Sequence, residues 1–133
     1  MVSKSTQRAA LMSIRPRFAS AILDGSKQIE FRKRSLAVDI TRVVIYTTSP
    51  VQAVVGEFTI ADQIVDSPKN LWSRYSRIAG IDKESFFEYF SGSEKGVGIL
   101  INDVTEYRLP RTLDEVVPGS SAPQSFRYFM QRK

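Results

Sequence analysis

Apolar and polar positions alternate with short periods along most of this chain, and the period changes several times. From Ala9 the sequence ALMSI is a short apolar run that predicts a buried strand. PRFASAILDG then places Phe18, Ala19, Ile22 and Leu23 at helical spacing, with Pro16 at a tolerated first helical position and Gly25 as a C-terminal stop. Over residues 25–34, GSKQIEFRKR, the period returns to two: Ile29 and Phe31 share one face of an extended strand, and Glu30, Arg32 and Arg34 share the other. After a loop around residues 35–41, RVVIYTT is rich in β-branched residues and predicts an internal strand. Ser49-Pro50 breaks it, and VQAVVGEFTIADQIV continues as a long strand, bent or bulged at Gly56.

Two short helices follow. Asp66 or Ser67 caps the first, with Pro68 at its start and Leu71, Trp72, Tyr75 and Ile78 on one stripe; Asp82 caps the second, with Phe86, Phe87 and Phe90 apolar. The strand pattern resumes in KGVGILINDVTEY, TLDE offers a capping box for a brief helical turn, and SFRYF closes the chain. Several strands accumulate without long helices between them, which predicts an α+β fold on an antiparallel or mixed sheet rather than a doubly wound one. Residues 1–8, MVSKSTQR, contain nothing to anchor them to a core and are expected to be a flexible N-terminus, leaving 9–133 as one domain.

Composition removes more chemistry than it adds. The 133 residues include no Cys and no His, which excludes disulfides, thiolate nucleophiles, Cys/His zinc sites and histidine-based acid–base catalysis. Catalysis would have to run on Lys, carboxylates, Ser/Thr or Tyr. No dense acidic cluster favours a hard metal, so no metal and no cofactor is expected. No apolar stretch approaches bilayer-spanning length and the N-terminus is too polar for a secretory signal, so a cytoplasmic protein without membrane contact is expected. The net charge of +5 is concentrated at the start: residues 1–34 carry eight Lys/Arg against Asp24 and Glu30. Such asymmetry suits a polyanionic partner.

Two readings of the charged strand face stay open. Glu30 and Arg32 can form a structural ion-pair ladder, or they can border a wet groove beside Lys27 and Lys33. Arg15 and Arg17 flank Pro16 where a strand hands over to a helix, a place suited to a phosphate. Helical spacing assigns the aromatic residues of LWSRYSRIAG and SFFEYF to core packing rather than base stacking. The hydroxyls of Thr47, Thr48 and Ser49 fit a turn. Near the C-terminus, Gln124 and Arg127 in APQSFRYF are not explained by sheet closure.

Taken as a set, SIRPRFASAILDGSKQIEFRKR, VVIYTTSPVQAVVGEF, the helix with LW, FFEYF and APQSFRY resemble the ASCH domain, a branch of the PUA-like superfamily named after activating signal cointegrator. The resemblance runs from about residue 10 to 130. Its most specific pieces are Gly25, Lys27, Glu30 and Arg32, and the run at 123–128. It implies a small β-barrel of PUA-like type with flanking helices, and a cleft faced by the Lys-x-x-Glu-x-Arg strand. It implies RNA, or a nucleotide-like anionic ligand, as partner, and a regulator of transcription or translation. On that reading Arg15, Arg17, Lys27, Arg32 and Arg34 contact phosphates, Glu30 orients Lys27 or Arg32 or accepts from a base amino group, and Gln124 and Arg127 form the opposite wall. The alternative is a hydrolase of a modified nucleoside or of RNA using Lys27 and Glu30. Some small ASCH-like proteins hydrolyse acylated pyrimidine nucleosides with a lysine, a threonine three residues later and a distant glutamate. Here Glu30 stands at the threonine position, and no acid is found near Ala79 and Gly80.

Overall fold

A computed structural model of the chain describes residues 6–132. β1 (Thr6–Ile14) runs directly into α1 (Pro16–Leu23), which Pro16 opens and after which Gly25 turns the chain at φ +85°. β2 (Ile29–Arg32) is only four residues long; β3 (Arg42–Thr47) and the longer β4 (Ala53–Asp66) follow. The Ser67 hydroxyl accepts from the Asn70 amide to open α2 (Pro68–Tyr75), a 3-10 turn spans Ser76–Ile78, and Asp82 accepts from the Ser85 amide to open α3 (Lys83–Tyr89). β5 (Gly96–Arg111), α4 (Leu113–Val116) with the expected Thr112/Glu115 capping box, and β6 (Phe126–Arg132) complete the described chain.

The strands form one six-stranded mixed sheet in the order β2-β5-β4-β3-β1-β6. β1 pairs parallel with β3; the other ladders are antiparallel. The ladders give an α+β fold but not the closed barrel: among the described residues no ladder joins β2 to β6. Contact across that opening is made by a side chain, because Arg32 of β2 donates to the Ser13 carbonyl of β1 and to the Ser125 hydroxyl just ahead of β6. Of the N-terminal residues 1–8 expected to be flexible, residues 6–8 belong to β1 and pair with β6, and the Arg8 guanidinium also holds Asp39 at 2.5 Å. Residues 1–5 lie outside those described.

Alternation along the strands fills both faces of the sheet. Ala10, Met12 and Ile14 of β1 pack with Val43, Ile45, Phe58, Val97 and Ile99 under Ala19 and Ile22 of α1. Leu11, Val44, Tyr46 and Val54 face the other way and are covered by Leu113, Val116 and Phe129. Each Val, Leu, Ile, Met or Phe among them contributes about 1.5–3 kcal/mol when fully buried. The third cluster lies under α2 and α3, where Phe31, Leu71, Ala79, Phe86 and Phe90 are buried together. Its rings meet edge to face, Phe31 to Phe86 at 4.8 Å and Phe86 to Phe90 at 5.0 Å, so these aromatics are core as their spacing predicts. The register of β4 shifts at Gly56, where a Cβ would stand 2.5 Å from the Thr105 carbonyl oxygen; the bend expected there is a bulge that only glycine fits.

Candidate functional site

The end of β1, the start of α1, β2 and α3 enclose a cleft of about 580 Å³. Six predicted residues line it: Arg15, Arg17, Lys27, Glu30, Arg32 and Gln124. Arg15 is the extended residue before Pro16 and Arg17 lies in the first helical turn; both side chains are exposed, and the Arg17 guanidinium stands 4.6 Å over the Phe18 ring.

Lys27 is only 2% exposed. Its backbone amide donates to the Ala21 carbonyl, which folds the chain back under α1. The side chain then runs between the rings of Phe18 and Phe31, 5.3 and 5.4 Å from Nζ, and ends with Nζ donating to the Ala79 carbonyl at 2.5 Å. Burial pushes the Lys27 ammonium below the usual lysine range; Glu30 opposes this, its Oε1 standing 3.7 Å from Nζ, without reversing it.

Glu30 and Arg32, two apart on the strand, pair with each other. Arg32 Nε and Nη2 donate to Glu30 Oε2 at 3.0 and 2.7 Å, Nη2 also donates to the Ser13 carbonyl at 2.9 Å, and Nη1 to Ser125 Oγ at 3.1 Å. The two readings of the strand face therefore coincide: the charges form an ion-pair network, and the same network is part of the cleft wall.

Arg34 and Arg127 are not brought to the cleft. β2 ends at Arg32, so the alternation that placed Arg34 beside Glu30 and Arg32 does not reach it; its guanidinium instead lies 5.5 Å over the Phe126 ring. Arg127 falls between Phe126 and Tyr128, which pack on the main core, and so projects to the opposite side of β6, where Nη1 donates to Ser120 Oγ at 2.7 Å. Sequence reasoning missed Phe18, Ser85, Glu88 and Tyr89, all of which line the cleft, as does Thr48, read above only as a turn residue. Tyr89, assigned with the rest of SFFEYF to core packing, is instead 40% exposed on the cleft with Lys33 Nζ 5.0 Å from its ring; its position off the Phe86/Phe87/Phe90 stripe is the signal that sets it apart. Ser125, the partner of Arg32, carries none.

An ASCH domain-containing ribonuclease of Zymomonas mobilis is 36% identical over 132 residues, covering 96% of this chain and 88% of that protein. The chain belongs to the ASCH domain family. The crystal structure of ASCH from Zymomonas mobilis superposes on this ASCH chain with a TM-score of 0.82 at 33% identity, over 91% of this chain and 87% of that one. The N-terminal domain of Staphylothermus marinus McrB shares the fold, with a TM-score of 0.53 at 13% identity over 85% and 81% of the two chains. No family model matches the chain. In this ASCH domain the Ala79 carbonyl accepts from the Lys27 ammonium, and neither residue 79 nor 80 is an acid.

Proposed function

We propose that this ASCH domain binds single-stranded RNA in the cleft between β2, α1 and α3. The observation that carries this reading is the lining itself: Arg15, Arg17, Lys27, Arg32 and Lys33 against two carboxylates, Glu30 and Glu88. The name of the Zymomonas relative supports RNA as the polyanion. Exposed Arg15 and Arg17 take phosphates at the mouth, and the affinity is mainly electrostatic. Arg32 has four hydrogen bonds to protein already, so it shapes the cleft more than it holds phosphate. On this reading the curled sheet is a PUA-like barrel with a side-chain seam, residues 9–133 act as one domain, and the protein is a cytoplasmic regulator of transcription or translation. No helix among the described residues is long and apolar enough to cross a membrane. The test is binding of a labelled single-stranded RNA across a salt series. Affinity falls steeply with salt, and Arg15→Ala or Arg17→Ala each flattens the log–log slope by roughly one unit. Absence of RNA affinity at low salt removes the reading.

A second reading, RNA cleavage, is favoured by the relative's name. The cleft offers proton-transfer groups without histidine: Lys27, whose basicity is lowered by burial, and the Glu30 carboxylate. Incubation with RNA tests it: product that appears with the native protein and is abolished by Lys27→Ala assigns catalysis, and intact RNA leaves binding alone.

A further inference from the structure

The floor of the cleft contains hydrogen-bonding capacity that the protein does not use. Both bonds from Arg32 to Glu30 end on Oε2, while Oε1 accepts none among the described residues and stands 3.7 Å from Lys27 Nζ, beyond hydrogen-bond reach. The Lys27 ammonium has three N–H groups and donates one of them, to Ala79. The two groups are ion-paired with each other at 3.7 Å, which leaves an acceptor oxygen and two N–H groups without a hydrogen bond among the described residues, on side chains only 9% and 3% exposed. Both residues line the cleft, where a ligand can complete those bonds.

A phosphate does not complete this pair, because its oxygens would meet the Glu30 carboxylate as well as the ammonium. The Watson–Crick edge of a nucleobase does: every base presents a donor next to an acceptor there. Arg15 and Arg17 at the mouth, for which no salt bridge occurs among the described residues, are cations able to hold phosphate.

Resting on the RNA reading, we propose that Lys27 and Glu30 read the Watson–Crick edge of one unpaired base, while Arg15 and Arg17 hold the flanking phosphates. The site is then specific for an extruded or single-stranded nucleotide, since pairing hides that edge.

The test is competition against a labelled single-stranded RNA by the four ribonucleoside monophosphates and by ribose 5-phosphate, with the same RNA annealed to its complement as a further competitor. The expected result is that at least one nucleotide outcompetes ribose 5-phosphate about tenfold or more, that the duplex competes about tenfold worse than the single strand, and that Lys27→Met erases the nucleotide advantage without changing the salt slope. Equal competition by ribose 5-phosphate and all four nucleotides overturns the proposal but not RNA binding. So does a Lys27→Met slope that flattens by about one while the nucleotide advantage stays, which would make Lys27 a phosphate contact. If the labelled RNA itself does not bind, both readings fall together. If Lys27→Met does not fold, the best-competing nucleotide is compared with a form methylated on its Watson–Crick edge; a loss supports the proposal and equality overturns it.

Discussion

A Cβ placed on Gly80 would stand 2.5 Å from Cβ of Lys27 and 2.8 Å from its Cγ, and Gly80 itself is at φ +60°. The approach of the 3-10 turn region to the cleft floor therefore depends on a missing side chain. Gly80→Ala combines a left-handed backbone with overpacking against a buried lysine stem and is expected to cost about 2–4 kcal/mol. Gly25, at φ +85° with nothing within 4 Å of its built Cβ, is the control, and its alanine variant should lose only about 1–2 kcal/mol. Urea midpoints of the two variants make the comparison.

Arg32→Ala should act on stability before it acts on binding. It leaves the Glu30 carboxylate buried without its partner and frees Ser125 and the Ser13 carbonyl, a loss of about 3 kcal/mol or more. Arg32→Lys should recover little, because a point charge cannot reach Glu30, Ser13 and Ser125 together. A double-mutant cycle of Arg32→Met with Glu30→Gln, read by denaturant unfolding, is expected to show coupling; additive losses would mean the two side chains act independently.

The lowered pKa of Lys27 has a sign in the pH dependence of stability. Between that value and the ordinary lysine pKa of about 10.4, the unfolded chain binds more protons than the folded one, so stability rises with pH in that window. The burial penalty is fully present below the folded-state pKa and is relieved as the ammonium deprotonates. Native protein should therefore gain stability relative to Lys27→Met between neutral and alkaline pH, as measured by urea midpoints at each pH. A constant difference would place the Lys27 pKa at its ordinary value.

Tyr107 should be among the last tyrosines to ionise. Burial and the hydrogen bond from its hydroxyl to Glu57 Oε1 at 2.8 Å both raise its pKa. Glu57 is held in turn by Arg42. The contribution is complete below the unfolded tyrosine pKa of about 10 and is lost as pH rises through the folded value. Tyr107→Phe is expected to cost about 1 kcal/mol at neutral pH and less at strongly alkaline pH. Alkaline absorbance titration of the folded protein, compared with the variant, checks the assignment.

Local chemistry was the legible part of the fold. Pro16 and Pro68 at helix starts, Asp82 and Thr112 as caps, and Gly56 as a bulge are written in neighbouring residues, and each stands where the spacing puts it. The charged strand was legible as a face, because alternation fixes which residues share a side. It did not reveal where β2 stops, and Arg34 was assigned to a face that ends two residues earlier. Nor could spacing show that Arg32 would reach Ser125, 93 residues away, or that Lys27 would meet a main-chain carbonyl 52 residues away. Those partners are set by how the sheet curls and where the helical excursion returns, which no single segment encodes. The mixed sheet that strand patterning predicts is present, whereas the closed barrel implied by the resemblance is not seen as a ladder: the short β2 meets the far side of the sheet through a side chain.

Phe31 and Phe86 belong both to the cleft lining and to the edge-to-face cluster beneath it. A surface backed by interlocked rings has little room to adapt to an incoming guest. Whatever rearrangement accompanies complex formation must fall mostly on the guest, so a pliable strand should be admitted readily and a stiff, pre-folded one refused for lack of give on either side.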